Sequence, residues 1–251
     1  MGRKFTHGWN PDLPDQRDIL FSTPHLGNLP ASVDLRTGCP KVYDQDRLGS
    51  CTANAIAAAI EFDRIKDVNL PDWTPSRLFI YYNERAMEGT IPVDAGARIR
   101  DGIKTVNLKG ACKEATWPYD IGKFATRPPQ FAYNEGKLHK AVAYQSVVQS
   151  EAGIKGALAS GFPVVFGFTV YESFEQAEVE RTGILNLPEP NEKVMGGHAV
   201  LAVGYDNNTR RFLVRNSWGT SWGQAGYFWM VYDYLTNPNL ASDFWVITLV
   251  K

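Results

Sequence analysis

Nothing that marks a specialised partner is in excess in this chain. Twenty-six Lys and Arg stand against 27 Asp and Glu, a net charge of −1, so there is no electrostatic footprint for nucleic acid or an anionic membrane. No apolar run approaches the roughly 20 residues of a membrane-spanning helix, and the opening residues lack the apolar stretch of a signal peptide. As written, the chain reads as soluble and cytoplasmic, or as secreted if a leader precedes it. Met1-Gly2-Arg3-Lys4-Phe5-Thr6 fits the short N-myristoylation pattern and is read as a chance match. Cysteine is scarce: Cys39, Cys51 and Cys112 are an odd number, which leaves at least one thiol unpaired. A Cys39–Cys112 bridge and three reduced thiols fit the sequence equally, because spacing does not bring two Cα atoms within the roughly 7 Å a disulfide needs. Histidine is scarce too, with only His7, His25, His139 and His198 to act as a base near neutral pH.

What is present suits a globular protein. With 251 residues and 44% hydrophobic side chains, the chain can bury a large core as one domain or two lobes. Residues 1 to 31 are rich in Pro, Asp and Gly and read as an extended arm. Helical patterns follow over Cys51 to Lys66, from Thr74-Pro75 as cap and first turn through Met87, over Ala97 to Asn107, and over Gly153 to Ala159. In the first, Ile56, Ile60 and Phe62 supply the apolar side, while Glu61, Asp63, Arg64 and Lys66 form the exit. The second half turns to β-branched and aromatic runs at Pro163–Val170, His198–Tyr205, Arg211–Asn216, Gly226–Val231 and Phe244–Val250, which read as strands of one antiparallel sheet. Helices first and strands later indicate an α+β protein, with a cleft where the two parts meet.

One cysteine is placed for chemistry. Cys51 opens the first helix, where unsatisfied N–H groups and the helix dipole favour a thiolate and can lower a thiol from about 8.5 into the 3.5 to 7.5 range. Gln45, six residues earlier, offers the uncharged donor that an oxyanion needs. Of the histidines, His7, His25 and His139 lie in irregular or polar surroundings and read as solvated. His198 opens a strand after Gly196-Gly197, and a hairpin turning at Asn207 sets it opposite Asn216, whose amide can accept the imidazole N–H and fix the ring. Singly, each of these residues is better read as structural; together they form a nucleophile, a base and an orienter.

Val33-Asp34-Leu35-Arg36, Gln45 through Cys51, Trp117-Pro118-Tyr119, Gly197-His198-Ala199-Val200 and the run Asn216-Ser217-Trp218-Gly219-Thr220-Ser221-Trp222-Gly223-Gln224-Ala225-Gly226-Tyr227 together resemble the papain-like cysteine peptidases, bacterial-type branch. The resemblance covers the chain from about residue 32 to its end. It implies a two-lobed α+β fold, a helical lobe plus an antiparallel β-barrel-like lobe, with the active site in the cleft between them. Residues 1–31 are then an N-terminal extension and 32–251 the peptidase domain, with the helical lobe mainly 51–125 and the β lobe mainly 126–251 plus 32–50. It also implies Cys51 as nucleophile, His198 as general base and acid, Asn216 as orienter and Gln45 with the Cys51 N–H as oxyanion hole. Trp218 shields the His198–Asn216 pair, and Cys and His rest as thiolate and imidazolium. For substrate the resemblance points to Gly96, Gly197, Met195 and Trp222, with Phe166, Gly167 and Gly196 as further positions around a pocket. No metal or organic cofactor is implied, and the partners are peptide or protein substrates.

Leu48 stands where the family usually carries a bridged cysteine, and Thr52 and Asn54 replace aromatics. The catalytic set is intact, while the usual disulfide framework is in doubt. The extension is too short for a helical propeptide of the usual kind. Two placements fit it: across part of the cleft, anchored by Trp9 and Phe21, or along the outside of the lobes. The function implied is a cysteine endopeptidase; a noncatalytic peptide-binding relative, or an acyl transferase or ligase working through the same acyl-enzyme, are the alternatives.

Overall fold

The computed structural model describes residues 6–22, 28–66, 73–140 and 142–249. The chain folds into helices packed on a sheet that is buried on both faces. Helix α1 (Cys51–Lys66) is buried all round over most of its length. Its run of alanines lets it enter the core closely, as a helix without a polar face must. Glu61 and Arg64 do not form a solvated exit: both are buried, and Glu61 accepts hydrogen bonds from Tyr43 and Thr74. Helix α2 (Arg77–Glu88) starts two residues later than the Thr74-Pro75 pattern suggests. Its N-cap is Ser76, whose Oγ accepts from Phe79 N at 3.1 Å, while Pro75 pairs with Lys113 in a β-bridge. Helix α3 (Ile99–Lys109) stops at Gly110, and α4 (Gln130–Gly136), α5 (Glu151–Ala159), α6 (Ala177–Thr182) and α7 (Tyr232–Thr236) complete the helices among the described residues.

The strands are β1 (Ser32–Asp34), β2 (Val142–Ser146), β3 (Val164–Tyr171), β4 (Ile184–Leu185), β5 (Val194–Asp206), β6 (Arg211–Arg215), β7 (Tyr227–Val231) and β8 (Ala241–Leu249). They run in the order β2-β8-β3-β5-β6-β7-β4, with β1 added to β5. All pairs are antiparallel except the two-residue β4–β7 pair. The order has two ends, so this is an open sheet rather than a closed barrel. Successive residues alternate between two cores: Val165, Leu201 and Val203 face α1, whereas Phe166, Phe168, Val200 and Ala202 face an aromatic cluster with Phe174, Phe212, Phe228 and Trp222. This is the two-residue period of a strand covered on both sides.

The turn between β5 and β6 is wider than a hairpin centred on Asn207. Tyr205 pairs with Phe212 and Asp206 with Arg211, and a bulge between Ala202 and Gly204 shifts the register so that Leu201 faces Arg215. Asn216 follows the last ladder residue and is not directly opposite His198. The pair still closes, because diagonal neighbours on a sheet remain within reach of long side chains.

The first residues are not a loose tail. Residues 6–10 run through the groove between α1 and β5, Arg100 at the start of α3 holds Asp18 at 2.7 Å and Leu13 O, and Ile19 to Phe21 pair with Ser146 of β2. Phe21 packs on Phe162, with ring centroids 5.6 Å apart. All three cysteines are free. Residues 1–5 and 23–27, which contain most of the myristoylation pattern and His25, lie outside the described residues.

Candidate active site

Cys51 sits at the mouth of α1 and is fully buried. Burial pushes its thiol up to about 12, the carboxyl of Glu84 adds to the rise, and the backbone N–H groups of Ala199, Gly8 and Thr52 oppose it. His198, in mid-strand on β5 rather than at a strand start, has Nε2 2.8 Å from Asn216 Oδ1. Nδ1 is buried without a hydrogen-bond partner. Burial drives the imidazole down to about 3; the Asn216 bond works against this and His7 adds to it. With the groove occupied, burial favours the neutral form of both Cys51 and His198 and so works against the thiolate–imidazolium pair implied by the resemblance. Desolvation outweighs the helix dipole here, because the arm removes the water that would stabilise either charge.

Trp218 lies over the imidazole, ring centroids 4.8 Å apart and planes 30° from parallel. Phe168 and Phe174 close the other sides at 5.8 and 6.3 Å. Asn216 Oδ1 also accepts from Ser217 N at 2.8 Å, which fixes the amide. Ser217 in turn connects this segment to Gln45: Ser217 Oγ donates to Gln45 Oε1 at 2.6 Å, and Gln45 N donates to Ser217 O at 2.8 Å. These bonds leave Gln45 Nε2 as a donor facing the groove, where it reaches Thr6 O at 3.2 Å and Leu48 O at 3.0 Å.

The arm occupies this groove residue by residue. Thr6 offers its carbonyl to Gln45. His7 lies beside His198 and Trp218, 6.2 Å from each ring, with Nε2 2.6 Å from Glu175 Oε1. It is a partnered, largely buried side chain and not the solvated one its irregular surroundings suggest. Gly8 passes over the sulfur and accepts from Ala97 N at 2.8 Å; Trp9 N donates to Gly197 O at 2.9 Å, and Asn10 N donates to Ala97 O at 3.0 Å. A Cβ on Gly8 would lie 1.8 Å from Gly49 O.

The pairing residue on the helical side is thus Ala97. Gly96 contributes room: its φ is 67°, and a Cβ there would lie 2.1 Å from Gly8 O. Gly197 likewise gives way to Trp9, and Met195 stands partly exposed at the rim. Trp222 does not line the groove. It is buried against Trp218, Phe174 and Phe228 and backs the shielding indole instead. Phe166 belongs to the core, stacked on Phe244 at 5.2 Å.

Several supporting residues gave no signal in the sequence. Asp94 accepts from Gly49 N at 3.0 and 3.1 Å and from Tyr81, while Tyr81 OH accepts from Gly96 N at 3.3 Å, so one pair fixes both glycine segments of the groove. Glu175 and Asp243 hold the arm, and their spacing from it, 168 and 234 residues for the His7 and Trp9 bonds, hides them from any motif. Among the described residues no group of three or more His, Cys, Asp or Glu side chains is arranged to hold a metal ion.

Residues 29–246 match the profile of the papain family cysteine proteases. An uncharacterized peptidase C1-like protein of Acanthamoeba polyphaga mimivirus is 52% identical over 96% of this chain and 86% of its own length. Cathepsin B-like cysteine proteinase 4 of Caenorhabditis elegans is 30% identical over 87% of this chain and 75% of its own. Among solved structures, xylellain, a cysteine protease from Xylella fastidiosa, superimposes with a TM-score of 0.92 at 44% identity, over 100% of this chain and 98% of that one. With its groove, its paired imidazole and amide, and its helix-borne thiol, the chain belongs to the papain family of cysteine proteases.

Proposed function

We propose that the chain is an endopeptidase that cleaves through a Cys51 acyl-enzyme and that its own arm keeps the cleft closed. The observation carrying this reading is the set Cys51, His198, Asn216 and Gln45 on one groove, with an extended peptide segment already bound there. His198 Nδ1 takes the thiol proton as sulfur attacks the scissile carbonyl. Gln45 Nε2 and the Cys51 N–H receive the developing oxyanion, and His198 then delivers the proton to the leaving amine. Water attacks the resulting thioester with His198 as base, which regenerates the thiol. Asn216 holds the ring in the tautomer that leaves Nδ1 free for this exchange.

The leaving amine must lie within reach of His198, so the part of a substrate after the scissile bond runs beside His198 and Trp218. Its acyl part runs the other way, past Gly197 and Ala97. The arm has the opposite polarity, with His7 beside His198 and Trp9 beside Gly197. Its peptide bonds therefore face the sulfur in reverse, which supports an occupant that blocks without being cut.

Labelling with an epoxide or vinyl sulfone thiol reagent tests the nucleophile, and Cys51→Ala should abolish it; robust labelling of that variant would overturn the assignment. Product analysis with and without added amine separates hydrolysis from acyl transfer.

A further inference from the structure

The two oxyanion donors come from separate elements. Gln45 lies in the irregular segment 44–50, and the Cys51 N–H belongs to the first turn of α1. Both have to end within about 2.7 to 3.1 Å of one oxygen, so the segment between them has to be held. One side of it is tied to the segment after β6: Asp44 bridges Trp218, Gly219 N donates to Tyr43 O at 2.9 Å, and Ser217 holds the Gln45 amide. The other side is tied to the helices by a buried polar chain that begins at Arg77, the first residue of α2. Its guanidinium grips Glu114 twice, Nε to Oε2 at 2.8 Å and Nη2 to Oε1 at 2.6 Å. That fork fixes the plane of the group, and the ring centroids of Tyr119 and Tyr43 lie 4.0 and 4.7 Å from Cζ. The remaining nitrogen, Nη1, donates to Asp44 O and to Asn54 Oδ1, both at 3.1 Å.

From Asn54 the chain continues in one direction. Asn54 Nδ2 donates to Ser50 O at 2.9 Å and to Ser50 Oγ at 3.0 Å, and Tyr119 OH donates to Gln45 O at 2.9 Å. Ser50 Oγ and Tyr119 OH are 2.5 Å apart, and since the tyrosine proton is used on Gln45, the serine donates here. Each donor in the order Arg77, Asn54, Ser50, Tyr119 therefore points toward the Gln45 carbonyl, and bonds aligned in this way strengthen one another. The carbonyls of Asp44, Gln45 and Ser50 are thus all engaged from the helical side. Asn54, one of the two polar residues standing in place of aromatics, is the joint of the chain. We propose that Arg77 and Asn54 are positioning residues for the peptidase reaction, which hold Gln45 and the Cys51 N–H at one spacing through Ser50 and Tyr119. They act on the backbone of residues 44–50 and not on the substrate. Without the guanidinium fork, Asn54 Oδ1 and Asp44 O lose a donor in a buried setting, and nothing fixes the direction of the Asn54 amide.

This inference rests on the peptidase reading, and three readouts on one set of variants keep the two apart. The parent is the full-length chain carrying Trp9→Ala, which takes the arm's indole out of the groove and leaves residues 44–50 unchanged. Into it go Arg77→Lys, which keeps the charge without the fork, Asn54→Ala, and Tyr119→Phe, which deletes only the hydroxyl on Gln45 O. Iodoacetamide alkylation of Cys51, read by mass spectrometry, forms no oxyanion, because the sulfur displaces iodide from a saturated carbon. Hydrolysis of a fluorogenic peptide does form one. So does inhibition by a peptide aldehyde, in which the sulfur bonds to the carbonyl carbon and the electron pair of the C=O bond moves to oxygen. The expected result is alkylation within about twofold of the parent in all three variants, with kcat and aldehyde affinity each lower by about 10- to 100-fold and KM little changed. Parental kcat and aldehyde affinity, or alkylation falling in step with kcat, would overturn the positioning role. Tyr119→Phe, smaller by one oxygen atom, decides the case if the other two variants do not fold. A parent that neither alkylates at Cys51 nor hydrolyses the peptide would count against the peptidase reading instead.

Discussion

Gly8 is the residue on which the covered cleft depends. The nearest atoms to any side chain there are the backbone of Gly49, held in turn by Asp94, so neither partner can yield cheaply. Gly8→Ala should lift the arm and raise the labelling rate of Cys51 at least tenfold; an unchanged rate would mean that the arm does not limit access. Gln45→Ala, in a chain with the arm released, should lower kcat by about 10²- to 10³-fold, the usual cost of losing one oxyanion donor, while KM changes little. The acid–base behaviour has a definite sign. With the arm docked, Cys51 is pushed up to about 12 and His198 down to about 3, both by burial first. Between those values burial favours the neutral pair, so Cys51 alkylation in the intact chain should be slow at neutral pH and rise only toward alkali. Gly8→Ala should convert this to a bell-shaped kcat/KM, since water then reaches both groups. A Gly8→Ala profile that rises monotonically through the thiol range would contradict an ion-paired active form.

At the scale of elements, the helix caps and strand registers decide how well the site is built. Ser76 caps α2 and also donates to Trp117 O at 2.6 Å from a fully buried position. Ser76→Ala should destabilise the chain by about 1 to 2 kcal/mol, seen as a lower denaturant midpoint with an unchanged slope. Much of this level was legible in the sequence. Cys51–Lys66 emerged with its observed ends, because alanine and periodic isoleucine are local signals, and five of the strands were visible as β-branched runs between turn residues. β1, β2 and β4 were not: β1 and β4 have only three and two residues, and β2, Val142-Ala143-Tyr144-Gln145-Ser146, has no run of β-branched residues and takes its identity from its partner β8, about a hundred residues further along the chain. The hairpin shows the same limit. His198 and Asn216 do meet, but a bulge and a longer turn set the register, and neither leaves a mark in composition.

Across the whole molecule, the arm is what the sequence left open and the structure describes as a strand-like lining of the groove. Its course depends on partners such as Asp243 and Glu175 that are remote in sequence, whereas the catalytic residues sit in blocks whose order alone announces the family. Docking of the arm should depend on pH through Asp12. Burial and the Asp243 carboxyl hold Asp12 above the ordinary carboxylate range, against the pull of the Arg100 N–H and guanidinium and of Trp245 Nε1. A carboxyl raised in the docked state binds a proton that the free arm has already lost. Docking is therefore fully favoured below about pH 4 and weakens as pH climbs from there toward neutrality. Asp12→Asn should flatten that dependence, measured as the pH profile of Cys51 labelling in the full-length chain; a profile equally steep in Asp12→Asn would assign the dependence to another group.

The most direct test of a Cys51 peptidase closed by its own arm is site-resolved labelling by mass spectrometry, with Cys39 and Cys112 as internal controls. The epoxide should modify Cys51 slowly in the full-length chain and at least tenfold faster in Gly8→Ala, with no specific adduct in Cys51→Ala. Equal rates in the first two, or an adduct that moves to Cys39 or Cys112 rather than Cys51, would contradict it.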